Sequence, residues 1–193
     1  MYHDLPRTAR FWPFLFAIDQ DLAETTRKAG CPCGGHLHCA NYPRKPRGTP
    51  LQLPEPQCLR LSFCCDRDGC RKRVTPPSVR FLGRKVYLGA IVILISAMRQ
   101  GPSPRRVHEL SKRFGADERT IARWQVFWRE QFPQTPFWKI ARAAVVPVVE
   151  IVSLPYSLVD AFLNRHRRCR GWRLLLRFLS PITVPGALRI KVS

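Results

Sequence analysis

Residues 107–124, with the sequence VHELSKRFGADERTIARW, have the pattern of a helix-turn-helix. Gly115 lies where the turn needs a residue that tolerates a positive φ angle, and Asp117 is suited to cap the helix that follows. Ile121 and Trp124 have the spacing of residues that face a core. The second helix would then expose a polar side to a DNA major groove, formed by Glu118, Arg119, Thr120, Arg123 and Gln125. A helical hairpin used only for packing is the alternative interpretation.

The charge of the chain indicates a polyanionic partner. The 193 residues include 33 Lys and Arg against 13 Asp and Glu, which gives a formal net charge of +20. Nucleic acid is the first candidate for such a partner and an anionic membrane surface the second. A hydrophobic content of 45% argues for a folded protein, and 18 prolines argue for short modules joined by stiff, extended pieces.

Two apolar stretches raise the question of a membrane span. Residues 86–98 (VYLGAIVILISAM) are too short to cross a bilayer, whereas 143–163 are long enough but contain two prolines and two acidic residues. We interpret both as buried helices. The N-terminal apolar patch is short and lies between Asp4 and Asp19, unlike a secretory signal peptide. We therefore expect a cytoplasmic, nucleoid-associated protein and no membrane partner.

Seven of the eight cysteines fall between Cys31 and Cys70. Without an export signal, clustered cysteines favour metal binding over disulfides. Two pairs, on tight turns separated by about thirty residues of strand and loop, describe a zinc ribbon with Zn²⁺ as its cofactor. The expected ligands are Cys31, Cys33, Cys65 and Cys70. The first pair is one residue shorter than a usual Cys-x-x-Cys knuckle, so Cys64, His36, His38 and Cys39 remain alternatives.

The fold predicted from these patterns is mainly α with a small β zinc ribbon. Its regions are an N-terminal helix (1–30, helical over 13–29), the zinc-ribbon-like module (31–80), the helix-turn-helix domain (83–132) and a basic, apolar helical C-terminal region (137–193). In the ribbon, 37–42 and 59–64 are plausible strands. In the helix-turn-helix domain, helices over 84–99, 104–114 and 117–131 would form a trihelical core, with inward-facing Ile91, Ile95, Leu110, Ile121 and Trp124.

The C-terminal region contains two distinct patches. We expect the apolar stretch 143–163 to pack on the trihelical core or to form a contact in a homodimer. The segment RHRRCRGWRLLLR has six arginines from Arg165 to Arg177 and no acidic residue. It either extends a DNA footprint, which we favour, or forms a basic amphipathic helix.

Double-stranded DNA is the partner that the basic side chains predict. Phosphate contacts are expected from Arg44, Lys45, Arg47, Arg71, Lys72, Arg73, Arg105 and Arg106. Base contacts are expected from Arg119, Thr120 and Arg123. Replacing Arg123 should therefore flatten sequence preference, whereas replacing Lys45 should weaken binding to all sequences alike.

The order of a zinc ribbon and a helix-turn-helix resembles the N-terminal part of bacterial insertion-element transposases. The segments CPCGGHLHCANYPRKPRG and SFCCDRDGCRKRVTPPSVRFLGRKVY, with the helix-turn-helix, look like short transposase-related proteins of that group, over about residues 28–132. The resemblance implies DNA binding at the element ends. It also implies metal ligation by the same four cysteines and a recognition helix over 117–131.

The chain lacks the residues of a recombinase active site, which requires three carboxylates and two metal ions. After Glu130 the acidic residues are Glu150 and Asp160, and none follows up to Ser193. We therefore expect no enzymatic activity. The protein would be a DNA-binding fragment, a partner of a separately encoded recombinase subunit, or a transcriptional regulator. The alternative is a non-catalytic adaptor that binds RNA or a protein partner.

Overall fold

The computed structural model describes residues 10–45, 53–81, 103–114 and 117–184. Within these ranges the protein is mainly helical, with two small antiparallel sheets. The helices are α1 (Phe11–Ala29), α2 (Pro104–Phe114), α3 (Glu118–Val126), α4 (Pro136–Ala141), α5 (Tyr156–Leu163) and α6 (Arg168–Leu179). The strands are β1 (Leu37–Cys39), β2 (Tyr42–Pro43), β3 (Leu59–Arg60), β4 (Phe63–Cys65) and β5 (Arg73–Val74). Short 3-10 turns cover Glu55–Cys58, Phe132–Gln134, Arg142–Ala144, Ile151–Ser153 and Ser180–Thr183.

Helix α1 confirms the predicted N-terminal helix and begins two residues earlier than expected. It ends where Gly30 takes a φ of 72°, a left-handed conformation that favours glycine. Its buried stripe includes Phe11, Leu15, Ile18 and Leu22, at the spacing of one helix face. This stripe attaches α1 to the main core.

The small sheets are built from strands of two or three residues. In the larger sheet β4 lies between β1 and β5, and all pairs are antiparallel. The register pairs Leu37 with Cys65 and Phe63 with Val74. Strands β2 and β3 form a separate pair, so each predicted strand is split into two short ones. Such short strands bury few side chains, which leaves this module with a small core of its own.

Helices α2 and α3 occupy the places predicted for the two helices of the motif. Asp117 caps α3, because its Oδ1 accepts the backbone N–H of Thr120 at 2.6 Å. Ile121 and Trp124 are buried, as the spacing predicts. Beyond α3 the chain continues as a π-helical turn, Phe127–Gln131. Gly115, the predicted helix over 84–99 and the side chain of Leu110 lie outside the described residues.

Aromatic side chains fill the main core. All five tryptophans of the chain are buried, and they belong to one cluster that also includes residues of α1, α3, α5 and α6. Phe132 lies at the centre of an aromatic group, with ring centroids 4.6 Å from Trp128 and 5.1 Å from Trp138. One cluster therefore combines side chains of the N-terminal helix, of the helix-turn-helix region and of the C-terminal region.

The prediction of a buried helix over 143–163 is wrong for the first half of that stretch. Residues 145–150 lie outside any helix, between the 3-10 turns Arg142–Ala144 and Ile151–Ser153, and α5 begins only at Tyr156. Pro147 and Pro155 lack the N–H that a helix requires and disfavour helical geometry in the residue before them. Val145 and Val149 are buried, while Val148 is 96% exposed. The segment therefore covers the core with part of its residues and leaves the others in solvent.

A buried ion pair joins α1 to the chain after β5. Asp19 and Arg80 are both 1% exposed, and Nε of Arg80 lies 2.7 Å from Oδ2 of Asp19. The same carboxylate accepts the Ser78 hydroxyl at 2.6 Å and the Val79 N–H at 2.7 Å. Arg80 also donates to the carbonyls of Gln57 and Leu59, at 2.6 and 2.9 Å. Each side-chain nitrogen of Arg80 and each carboxylate oxygen of Asp19 therefore has a hydrogen-bond partner, as buried charged groups require.

This ion pair predicts that substitutions of two nearby aspartates will differ greatly in their effect on the free energy of unfolding. Asp19→Asn keeps the shape of the side chain but leaves the buried Arg80 charge uncompensated, which should cost about 3–5 kcal/mol of unfolding free energy. Asp21→Asn is the matched control, because Asp21 is 46% exposed and pairs with exposed arginines. It should cost about 0–1 kcal/mol. Urea denaturation measures both, and equal losses would contradict the prediction.

Candidate functional site

Four cysteine sulfurs converge between the end of α1 and the three-stranded sheet. The Sγ atoms of Cys31, Cys33, Cys65 and Cys70 all lie within 4.8 Å of one another. Cys31 and Cys70 are 3.8 Å apart, and Cys33 and Cys65 are 3.5 Å apart. Each close contact joins one cysteine of the first turn to one of the second. The shortened Cys-x-Cys spacing therefore still allows both sulfurs of the first turn to face the second pair.

The geometry of the four sulfurs fits a tetrahedral metal site. A zinc ion binds thiolate sulfur at about 2.3 Å, so the sulfurs of a regular tetrahedron lie about 3.8 Å apart. Two of the six sulfur separations, those of the close pairs, agree with that value, and the other four are at most 4.8 Å. Four thiolate donors without an open position are typical of a structural zinc site rather than a catalytic one. The arrangement is a possible metal site.

Tight turns position the sulfurs, as the ribbon pattern predicts. The first turn is closed by hydrogen bonds from Gly34 N–H to the Cys31 carbonyl at 2.8 Å and from Cys31 N–H to the Gly35 carbonyl at 3.1 Å. Gly34 has a φ of 84°. A Cβ atom on Gly35 would lie 2.6 Å from Sγ of Cys65. Glycine at position 35 therefore leaves the space that the second turn's sulfur occupies.

Backbone N–H groups and neighbouring thiols shift the cysteine pKa values in opposite directions. The N–H of Gly35, followed by hydrogen bonds with the other three thiols, lowers the pKa of Cys33 to about 6. The N–H of Arg67 favours the Cys65 thiolate, but burial and the neighbouring thiols outweigh it and raise the pKa of Cys65 to about 12. Hydrogen bonding among the four thiols thus lowers the pKa of one sulfur and raises that of its neighbour, and a bound cation would favour the thiolate form of both.

Charged side chains hold the two turns against each other. Asp66 accepts the backbone N–H of His36 at 2.9 Å and lies 3.3 Å from Nε2 of His38. Arg67 donates from Nη1 to the carbonyl of Cys33. These contacts, and the requirement for glycine at position 35, were not predicted. The Gly-Gly after Cys33 was the sequence signal for the glycine, whereas the polar contacts depend on a pairing that sequence spacing does not reveal.

The alternative ligands lie outside the sulfur group. Cys64 alternates with Cys65 along β4, and its Sγ donates to the carbonyl of Arg71 at 3.4 Å. His38 contacts Asp66 instead, and Cys39 is exposed at the end of β1. Cys58 and Cys169 are also separate from the group.

Several residues expected to contact phosphates have partners within the protein. Arg44 stacks on Phe81, with its guanidinium carbon 5.2 Å from the ring centroid. Arg73 donates to the Ala40 carbonyl at 2.8 Å, and Arg71 pairs with Asp68 at 2.7 Å. Lys45, Lys72 and Arg105 are exposed. Arg47 and the side chain of Arg106 lie outside the described residues.

The residues expected to contact bases divide into two kinds. Arg119 and Arg123 are exposed on α3. Thr120 is half-buried, and its hydroxyl donates to Oδ2 of Asp117 at 3.2 Å, in addition to the capping bond from its backbone. In this arrangement Thr120 stabilises the start of α3, while the two arginines remain accessible.

No family model, curated protein or solved structure matches the chain. The likeness to transposase-related proteins therefore depends on the motifs alone. In the parts of the chain that the structure describes, no helix combines the length and apolar character needed to cross a bilayer.

The four-cysteine group allows predictions of the metal content of the protein and of the effects of two cysteine substitutions. We expect roughly one zinc ion per purified chain, because four thiolates complete one tetrahedral shell. Cys70→Ser should lose the metal and much of the solubility, whereas Cys64→Ser should retain both. Elemental analysis and cobalt(II) absorption measure the occupancy. Full folding in the presence of a strong chelator would contradict a structural role for the metal.

Proposed function

We propose that this protein is a zinc-stabilised DNA-binding protein of the transposase-related type, which contacts duplex DNA through α2 and α3. The observation that supports the proposal most is the division of α3 into two faces. Ile121 and Trp124 are buried, whereas Arg119 and Arg123 are exposed on a capped helix that follows α2. A recognition helix needs such a division, because its apolar side must hold it to the core while its polar side enters the groove.

The role proposed for zinc is to hold the small sheet module together. Among the described residues, its own apolar cluster has five buried members, and Cys31 and Cys65 are two of them. So small a core supplies little stabilisation, and a structural metal is a common solution in domains of this size. Zinc is favoured over softer or redox-active metals because a closed set of four thiolates is its usual structural environment.

The proposal does not include catalysis by this chain. Glu150 is exposed and accepts the Ser153 hydroxyl at 2.9 Å, whereas Asp160 is half-buried on α5. These two carboxylates do not form the group of three converging carboxylates that a recombinase active site requires. The chain would then act as a DNA-binding accessory, beside a separate recombinase subunit or as a regulator, in the cytoplasm and in association with the nucleoid.

Exposed apolar side chains favour a second candidate, an adaptor for a protein partner. Ile140, Val148 and Val152 are 79, 96 and 80% exposed. A contiguous patch of exposed apolar side chains commonly marks a site for a protein partner, and these three fall within residues 140–152 of the chain. Such a contact is also compatible with a DNA-binding accessory that docks on a recombinase subunit or on a second copy of itself.

Specific DNA binding is tested by titrating zinc-loaded protein against two duplexes at near-physiological salt. One duplex has the sequence that flanks the coding region, and the other is a shuffled version of equal length. A preference of about a hundredfold or more for the first would support the proposal. Equal, steeply salt-dependent affinity for both would leave only electrostatic attraction and would contradict sequence-specific binding.

Substitution of Arg123 tests whether the exposed face of α3 contacts bases. Arg123→Ala should reduce the preference between the two duplexes by about 1–3 kcal/mol, the contribution of an arginine bound to a guanine edge. Arg142→Ala is the matched control, since Arg142 is exposed outside α2 and α3. It should leave the preference unchanged. If both variants reduced affinity for the two duplexes equally, the face assigned to α3 would be wrong.

A further inference from the structure

Three arginines form a corner where α5 ends and α6 begins, and we call Arg165, Arg167 and Arg170 the arginine corner. All three are exposed. Arg165 is fixed by a 2.7 Å hydrogen bond from Nη1 to the carbonyl of Val146. Within the described ranges, no carboxylate forms an ion pair with any of the three. The corner therefore presents positive charge that the described residues do not neutralise.

The later arginines of α6 differ from the corner in one respect. Arg173 and Arg177 share the carboxylate of Asp21 on α1, with Nη1 to Oδ2 distances of 3.7 and 3.5 Å. Arg173 also lies over the Phe14 ring, 5.9 Å from its centroid. These two arginines attach α6 to α1. Of the five arginines of this segment whose side chains are described, only the later pair has a counter-charge among the described residues.

Without a bound anion, the positive charges of the corner destabilise the start of α6. The first turn of α6 contains no acidic residue, and Arg167 at the N-cap makes no capping hydrogen bond through its side chain. The positive end of the helix dipole adds to the charge of the arginines, where acidic or small polar residues are usual. A cluster that opposes the stability of its own helix suggests a contribution to binding.

Helices α5 and α6 pack closely beside the corner. Gly171 lies against the end of α5, and a Cβ atom there would approach the Phe162 carbonyl oxygen and the Leu163 side chain to 2.9 Å. Glycine therefore allows α6 to approach α5 closely. The arginines thus lie in the turn between two packed helices and in the first turn of α6 rather than on a free tail, which lowers the entropic cost of ordering their side chains on a ligand.

We propose that the arginine corner is a second phosphate-contact surface for duplex DNA, separate from α3 and independent of sequence. The inference depends on the proposed function. It adds that the C-terminal region contributes to affinity rather than to base recognition, because phosphate contacts carry no direct sequence information. Arginine suits this role, since its planar guanidinium can make paired hydrogen bonds to phosphate oxygens.

Two double variants of the full-length, zinc-loaded protein test the inference. Arg167→Gln with Arg170→Gln removes two charges from the corner, whereas Arg173→Gln with Arg177→Gln removes two charges from the same helix at the α1 contact. Affinity for a random-sequence duplex is measured over a range of salt concentrations. The corner variant should reduce the slope of log affinity against log salt by about 2, since each lost phosphate contact contributes about 0.9. The control variant should leave the slope nearly unchanged.

Thermal unfolding gives an independent measurement for the same variants. The corner variant should melt no lower than the wild type, because it loses repulsion beside the helix dipole. The control variant should melt lower, because Asp21 loses both partners. The preference of the corner variant between the flanking and shuffled duplexes should remain that of the wild type.

Three outcomes would overturn the inference. Equal changes of slope in both double variants would show an effect of net charge alone, and an unchanged slope in the corner variant would show no DNA contact there. Reduced binding to phosphatidylserine vesicles with unchanged DNA binding would assign the corner to a membrane surface. In each case the wild-type DNA preference and the Arg123→Ala effect would still stand, whereas failure of the proposed function would appear in the wild type itself.

Discussion

The buried pair of Asp19 and Arg80 is the interaction on which the arrangement of the described parts depends. A carboxylate placed in a protein interior must find donors, and Asp19 finds them in Ser78, Val79 and Arg80, about sixty positions away in the chain. Arg80 in turn requires the carbonyls beside β3, and the Ser78 N–H donates to Thr183 at 3.0 Å. One set of hydrogen bonds thereby connects the N-terminal helix, the chain around the small sheets and the end of the C-terminal region.

Features determined by neighbouring residues were the ones that the sequence could predict. Helix α1 follows from its apolar stripe and Gly30, and the start of α3 follows from Asp117, because caps and helix faces act over a few positions. The grouping of Cys31, Cys33, Cys65 and Cys70 followed from a similar argument. Sulfurs on two tight turns satisfy a tetrahedral site only by meeting, so their spacing indicated which residues come together.

Features that depend on distant contacts could not be predicted from local patterns. Nothing near Asp19 distinguishes it from Asp21, yet the first is buried and the second is half-exposed. The apolar character of 143–163 suggested one helix, but its prolines and the shape of the core allow a helix only from Tyr156 onward. The hydrogen bond from Arg73 to the Ala40 carbonyl could not be predicted either, because it depends on strand pairing that composition does not reveal.

The side chains of α1 pack in two separate apolar clusters, and the change from one cluster to the other falls between Leu22 and Ala23. Residues up to Leu22 pack in the aromatic core, whereas Ala23 packs with Cys31 and Cys65. Asp19 anchors the helix just before the change from one cluster to the other. If the four cysteines hold the proposed ion, its removal should melt the last turns of α1 together with the small sheet and stop at that anchor. The helix would then divide the molecule into two cooperative folding units, of which only one would respond to the metal.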